Sequence, residues 1–213
     1  MARLGRAAAV VLALFLSARA VNAQSPIADP PVSRASTAGL FVAGGAAAFA
    51  AHEAGHLVFD FLFDADPGIG KVDFHGIPFF AITHRSGLSA TREFTISSAG
   101  FWVQHAGSEW LLTTRPNLRH ERAPFAKGVL AFNVLNSVGY ACVAFARAGP
   151  FERDTRGMAE SIGVDERAIG AMVLAPAVLD AIRYFKPEAR WAKWASRAAK
   201  AGSVLLVIRS TRG

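Results

Sequence analysis

Long apolar stretches separated by short charged segments dominate the chain. Three reach the roughly 20 residues that an α-helix needs to cross a bilayer: Ala35 to Phe63, Phe94 to Thr114 and Gly128 to Ala146. A fourth, Ala168–Tyr184, is shorter and carries Asp180 near its end, so it is either a tilted span or a helix packed among the others. The pattern predicts an all-α membrane protein with three to four transmembrane helices.

Two segments depart from this pattern. Lys71–His84 has β-favouring residues around Gly76 and Pro78, which predicts a small β-hairpin at the membrane interface. Residues 186–213 form a basic tail, and the stretch from Arg183 to Lys200 alternates basic residues with tryptophans and alanines. That alternation is typical of a basic amphipathic helix lying on an anionic membrane surface.

The first 23 residues have the features of a signal peptide. Arg3 and Arg6 precede an apolar run, and Val21-Asn22-Ala23 supplies small residues for cleavage before Gln24. An uncleaved signal anchor is the alternative, and either one directs the chain to a membrane. We expect residues 24–34 to be a linker, 35–185 a membrane-embedded domain and 186–213 the basic tail.

Composition supports a membrane protein and excludes several other classes. Of the 213 residues, 52% are apolar and 18% charged, whereas an ordinary soluble domain has about a quarter charged. Such a chain is too apolar to be disordered, and the single cysteine, Cys142, excludes a disulfide scaffold. The net charge is +7, but the basic residues are scattered, so we expect a lipid bilayer and no nucleic acid as partner.

The first apolar stretch contains His52-Glu53-Ala54-Gly55-His56. On a helix, residues four apart share one face, so His52 and His56 can bind one metal ion together. Neutral imidazoles suit zinc, and a catalytic zinc keeps a position for water, whose proton Glu53 can accept. Ionisable groups at membrane depth indicate function. The alternative is a helix that ends near Ala51, with the motif solvated at the interface.

This motif within an apolar helix, followed by a β-rich loop and further spans, resembles the site-2 protease family of intramembrane zinc metalloproteases. That family carries a Leu-Asp motif on a later helix, and its aspartate is the third zinc ligand. The similar stretch here is Pro176-Ala177-Val178-Leu179-Asp180. The resemblance implies that His52, His56 and Asp180 hold Zn²⁺ and that Glu53 is the general base.

The second motif departs from the family pattern. An asparagine is expected before the Leu-Asp and a glycine after it, but Met172 and Val173 occupy the first region and Ala181 the second. Asp180 is also explained as a helix-end carboxylate paired with Arg183. Asn133 and Asn136 could replace the asparagine, Asp60 could orient His56, and the other candidate ligands are Glu109, His105 and, less favoured, Glu160.

We expect a zinc-dependent endopeptidase that cleaves peptide bonds within or at the edge of the membrane, with a membrane protein or peptide as substrate. The alternative is a non-catalytic scaffold or metal-binding membrane protein that retains the motif. A metal-handling carrier is a third and weaker hypothesis, because only one strong ligand pair is visible. The expected location is integral and multi-pass, in a bacterial inner membrane.

Overall fold

The structure is a computed structural model that describes residues 33–74 and 77–210. Within these ranges the chain forms six α-helices and one β-hairpin. The predicted signal peptide and the linker as far as residue 32 lie outside the described residues. In chain order the elements are α1 (Arg34–Leu62), β1 (Gly68–Phe74), β2 (Ile77–Thr83), α2 (Ala90–Thr114), α3 (Pro124–Ala146), α4 (Asp154–Ile162), α5 (Glu166–Phe185) and α6 (Arg190–Ser210).

Three of the described helices are long and apolar enough to cross a membrane: α1, α3 and α5. The predicted membrane character and the mostly helical fold are therefore confirmed at this level. The second predicted span, Phe94 to Thr114, is also helical and forms most of α2, but α2 is not among the three.

The polar composition of α2 explains this difference. Its buried side chains include Ser98, Gln104, His105 and Ser108. All five other helices of the described chain pack against it. Because buried polar groups need hydrogen-bond partners, this helix is suited to the centre of a bundle, where other protein segments surround it.

The predicted β-hairpin is present. Strands β1 and β2 pair antiparallel, from Gly68 opposite Thr83 to Phe74 opposite Ile77. The chain turns from α1 into β1 through Asp64 and Asp66, both in the left-handed region with φ of 51° and 54°. Aspartate is one of the few residue types that visit this region readily.

Helices α1 and α3 approach closely where two glycines meet the opposite backbone. A Cβ on Gly44 would overlap the backbone carbonyl of Phe125, and a Cβ on Gly128 would overlap that of Phe41. Small residues permit such contacts between membrane helices, where van der Waals packing drives association. The crossing of α1 over α3 therefore depends on Gly44 and Gly128.

Replacing Gly128 by alanine is expected to force α1 and α3 apart and destabilise the protein, since overpacking costs about 1–3 kcal/mol. Gly139→Ala is the matched control on the same helix, because a Cβ there meets nothing within 4 Å. We expect thermal unfolding in detergent, followed by circular dichroism, to show a lower midpoint for Gly128→Ala only. Equal midpoints would contradict the close crossing.

Candidate metal centre

Three side chains from two helices converge at one point. His52 and His56 lie one turn apart on α1, both buried, with their Nε2 atoms 3.2 Å apart. Asp154, the first residue of α4, places Oδ2 3.2 Å from Nε2 of His52 and 3.5 Å from Nε2 of His56. The three form a group that could hold a metal ion.

Hydrogen bonds on the far side of each ring define which nitrogens face this point. Nδ1 of His56 is 2.8 Å from the backbone carbonyl oxygen of Ile96, and Nδ1 of His52 is 2.8 Å from Oε1 of Gln104. Both partners are acceptors, so each Nδ1 carries the proton. In neutral imidazoles both Nε2 atoms then present lone pairs.

The donor set suits a tetrahedral metal ion. A zinc ion with ligand distances of about 2.0–2.2 Å separates neighbouring ligand atoms by about 3.3–3.6 Å. The observed separations are 3.2, 3.2 and 3.5 Å. Three converging lone-pair donors repel one another unless a cation or a proton lies between them, so the cluster requires one of the two.

A polar network on α2 and α3 holds His52. The Gln104 side chain accepts from Nδ2 of Asn136 at 3.2 Å and donates to the backbone carbonyl of Asn133 at 3.4 Å. The His52 ring occupies space next to Gly100, where a Cβ would overlap it. Hydrogen bonds of this kind fix the orientation of a metal-ligating histidine.

Neighbouring residues hold Asp154 in place. Arg153 binds Glu166 of α5 through Nε and Nη2 at 2.7 and 2.6 Å, and Thr155 donates to the same carboxylate at 2.8 Å. Met158 of α4 is buried in an apolar cluster with residues of α2 and α5. Burial would raise the pKa of the Asp154 carboxyl, but His56 and His52 outweigh it and hold that pKa well below its usual range.

Glu53 lies beside the three converging side chains. It follows His52 directly in α1, and its side chain is partly buried. Its carboxylate interacts electrostatically with His52, His56 and Asp154. Glu53 therefore belongs to the electrostatic environment of the centre.

Asp180, the third ligand implied by the resemblance, lies in a different cluster. Its Oδ1 accepts from Ser196 at 2.6 Å and from Arg183 at 3.2 Å, and its Oδ2 is 2.8 Å from Nζ of Lys200. It is not part of the metal-capable group in the described chain. Its pairing with Arg183, which the sequence allowed, is present.

The other candidate ligands are also outside the metal-capable group. Glu109 belongs to the same ion cluster as Asp180, where it binds Arg183, Arg197 and Lys200. His105 is buried on α2. Glu160 is exposed and pairs with Arg156 one turn away.

Sequence reasoning missed Asp154. It lies 98 positions after His56 in a charged connection, and no motif surrounds it. The available signal was the short helix that it begins, in which Thr155, Met158 and Ala159 form a buried face. That pattern predicts that the helix packs inward, but it does not identify the aspartate as a ligand.

A second polar cluster lies at the end of α1. Asp60 is fully buried, and within the described part neither of its carboxylate oxygens has a hydrogen-bond partner. Nδ1 of His84 is 3.6 Å from Asp60, and Nε2 of His84 is 3.0 Å from Glu93 of α2. The carboxylate of Asp60 thus faces His84. The group that orients His56 is the backbone carbonyl of Ile96, which accepts its hydrogen bond, and not Asp60.

Comparison with known proteins found no matching family model, no matching curated protein and no matching solved structure. Assignment of the centre therefore depends on the geometry and chemistry of the side chains themselves.

The stability contributed by His84 is expected to fall as the pH rises. Its hydrogen bond to Glu93 raises the pKa of His84 despite the opposing effect of burial, and Asp60 raises it further. Because the folded-state pKa exceeds the unfolded value of about 6.5, the contribution is complete below about pH 6.5. It is lost as the pH rises through the folded-state pKa.

Thermal unfolding of the wild type and of His84→Gln, compared between about pH 6 and about pH 9, measures this contribution. The difference between the two proteins should shrink as the pH rises. The same substitution at His120, which is exposed, should produce no such trend. A difference that stays constant with pH would show that folding does not raise the pKa of His84.

Proposed function

We propose that this protein is a zinc-dependent endopeptidase of the membrane, with zinc held by His52, His56 and Asp154. One observation carries the proposal: two imidazole Nε2 atoms and one carboxylate oxygen converge at ligand spacing, with Glu53 beside them. Two histidines and a carboxylate are an established ligand set of catalytic zinc sites that leave a position for water. The resemblance of the His52–His56 segment to intramembrane metalloproteases adds support.

Zinc bound at this centre would supply a Lewis acid that activates water and polarises the scissile carbonyl. Glu53 would accept the proton of the attacking water and return it to the leaving amine. Gln104 and the Ile96 carbonyl would keep both imidazoles in the required tautomer. The arrangement supports hydrolysis of an amide bond without a covalent enzyme intermediate.

The membrane setting restricts the substrate. His52, His56 and Glu53 lie on α1, one of the three helices able to span a bilayer. A helical substrate hides its own carbonyls in hydrogen bonds, so it must unwind locally before its peptide bond can enter such a site. We therefore propose an apolar, membrane-associated segment as substrate, in a locally extended conformation.

Metal content distinguishes Asp154 from Asp180 as the third ligand. We expect detergent-purified protein to carry about one zinc ion per chain, and His56→Ala and Asp154→Ala to lose it. Asp180→Asn should retain zinc, because this carboxylate is bound by Arg183, Ser196 and Lys200. Inductively coupled plasma mass spectrometry measures the zinc, and circular dichroism verifies that each variant is folded.

Two results would overturn this assignment. Zinc lost from folded Asp180→Asn but retained by Asp154→Ala would identify Asp180 as the ligand. Wild-type protein that takes up no zinc after reconstitution would mean that protons stabilise the cluster, as in a non-catalytic scaffold.

Glu53→Gln is expected to retain zinc and to lose peptide cleavage by about 10²–10⁴-fold, the usual contribution of a general base. The assay uses fluorogenic peptides built on single apolar helical segments, reconstituted with the protein in phosphatidylcholine vesicles. Glu121→Gln is the control, since Glu121 pairs with Arg115 near the protein surface. Undiminished cleavage by Glu53→Gln would exclude Glu53 as the base, and zinc without turnover in the wild type would favour a metal-binding protein.

A further inference from the structure

An apolar groove lies between α3 and α5, away from the metal centre. Its walls include Val138 of α3 and Val178 and Ile182 of α5, and its volume is about 440 Å³. Sites for small ligands commonly measure about 300–1,000 Å³. Both helices that form the walls are long and apolar enough to span a membrane, so a groove between them would lie at the depth of the hydrocarbon region.

One end of the groove is cationic. Lys186 lines it there, directly after the last residue of α5. Arg190 lies between Ala189 and Trp191, two further lining residues. Both cations are exposed, and neither is among the residues that form ion pairs within the ranges 33–74 and 77–210. The groove is thus apolar along its length, and at its mouth the two cations outnumber the one carboxylate between them, that of Glu188.

A third cation at this end has a structural partner. Nη1 of Arg119 donates to the backbone carbonyl of Phe185 at 3.1 Å, and its guanidinium lies 5.5 Å from the centre of the Phe185 ring. Arg119 thereby satisfies a carbonyl that the C-terminus of α5 leaves without a helical partner. Lys186 and Arg190 are not used in this way and remain available to a ligand.

Trp191 indicates the depth of the groove mouth in the membrane. It lines the groove, and 62% of its surface is exposed. Exposed tryptophans of membrane proteins concentrate at the level of the lipid headgroups. Lys186 and Arg190 therefore lie at headgroup level, and the valines and isoleucine lie at the depth of the acyl chains.

The lining favours a lipid chain over a protein helix. Contacts between membrane helices use small residues that let the backbones approach, as Gly44 and Gly128 do between α1 and α3. Branched and aromatic side chains make up most of the lining of this groove, including Val178, Ile182 and Phe185, and Ala181 and Ala189 are the small residues among them. They leave a channel suited to a flexible chain.

We propose that the groove between α3 and α5 binds one acyl chain of an anionic phospholipid, whose phosphate lies against Lys186 and Arg190. The apolar walls bury the chain, and the two unpaired cations select the negative headgroup. This site is independent of the metal centre and of the proposed peptidase activity.

Quenching of tryptophan fluorescence by brominated lipids tests the proposal. The protein is reconstituted in phosphatidylcholine bilayers that contain brominated phosphatidylglycerol or brominated phosphatidylcholine. The signal of Trp191 is the difference between wild type and Trp191→Phe. We expect Trp191 to be quenched at lower mole fractions by the anionic lipid. Each cation near a membrane surface contributes about five-fold to the affinity for anionic lipid.

Three variants distinguish the contribution of the charges to lipid binding from that of the groove. Lys186→Gln with Arg190→Gln should remove the preference for the anionic lipid. Lys71→Gln with Lys193→Gln removes the same charge from exposed positions outside the lining and should preserve the preference. Ala181→Leu fills the groove from α5 with a good helix former, and should reduce quenching of Trp191 by both lipids.

Each contrary result has a defined meaning. Equal quenching by the two lipids in the wild type would overturn the headgroup preference. If both charge variants lost the preference for the anionic lipid equally, diffuse surface charge would explain that preference and the defined site would be excluded. Absence of quenching by either lipid would show that protein covers the groove, either a second copy or a bound helix.

Discussion

Polar groups buried among apolar helices must be satisfied by other protein groups, and this requirement determines how the bundle is built. Nδ1 of His52 needs an acceptor, which Gln104 of α2 provides, and Gln104 in turn accepts from Asn136 of α3. Nδ1 of His56 uses the carbonyl of Ile96. The residues that orient the centre therefore also hold the first three helices together.

Side-chain size varies along α3 and determines how closely its neighbours approach. A Cβ on Gly128 would overlap the backbone of α1, and a Cβ on Gly170 of α5 would crowd Ala144. Branched residues, among them Val138 of α3 and Val178 of α5, line the groove instead. Residue size thus separates the places where these helices touch from a place where space remains between them.

Local patterns predicted the parts of this structure that depend on neighbours in sequence. The pairing of His52 with His56 follows from helical periodicity alone, and the hairpin follows from a break in that periodicity. Asp154 could not be predicted in this way, because it reaches the histidines only through the packing of α4 against α2 and α5. Asp180 has the burial expected of a ligand, but the cations beside it depend on how α6 packs.

The central position of α2 could not be predicted either, because the length of an apolar stretch does not reveal which helices surround it. The segment from Phe94 to Thr114 has the length of a span, yet Gln104 and Ser108 make hydrogen bonds that only surrounding helices can provide. Its polarity becomes understandable once α1, α3, α4, α5 and α6 surround it.

The ion cluster around Glu109 has a consequence for biosynthesis. Before α6 is synthesised, the carboxylates of Glu109 and Asp180 face one guanidinium, that of Arg183. Arg197 and Lys200 arrive with α6 and turn the local excess of negative charge into a positive one. Chains are made from the N-terminus, so the sign of the charge in this cluster reverses when α6 is added during synthesis.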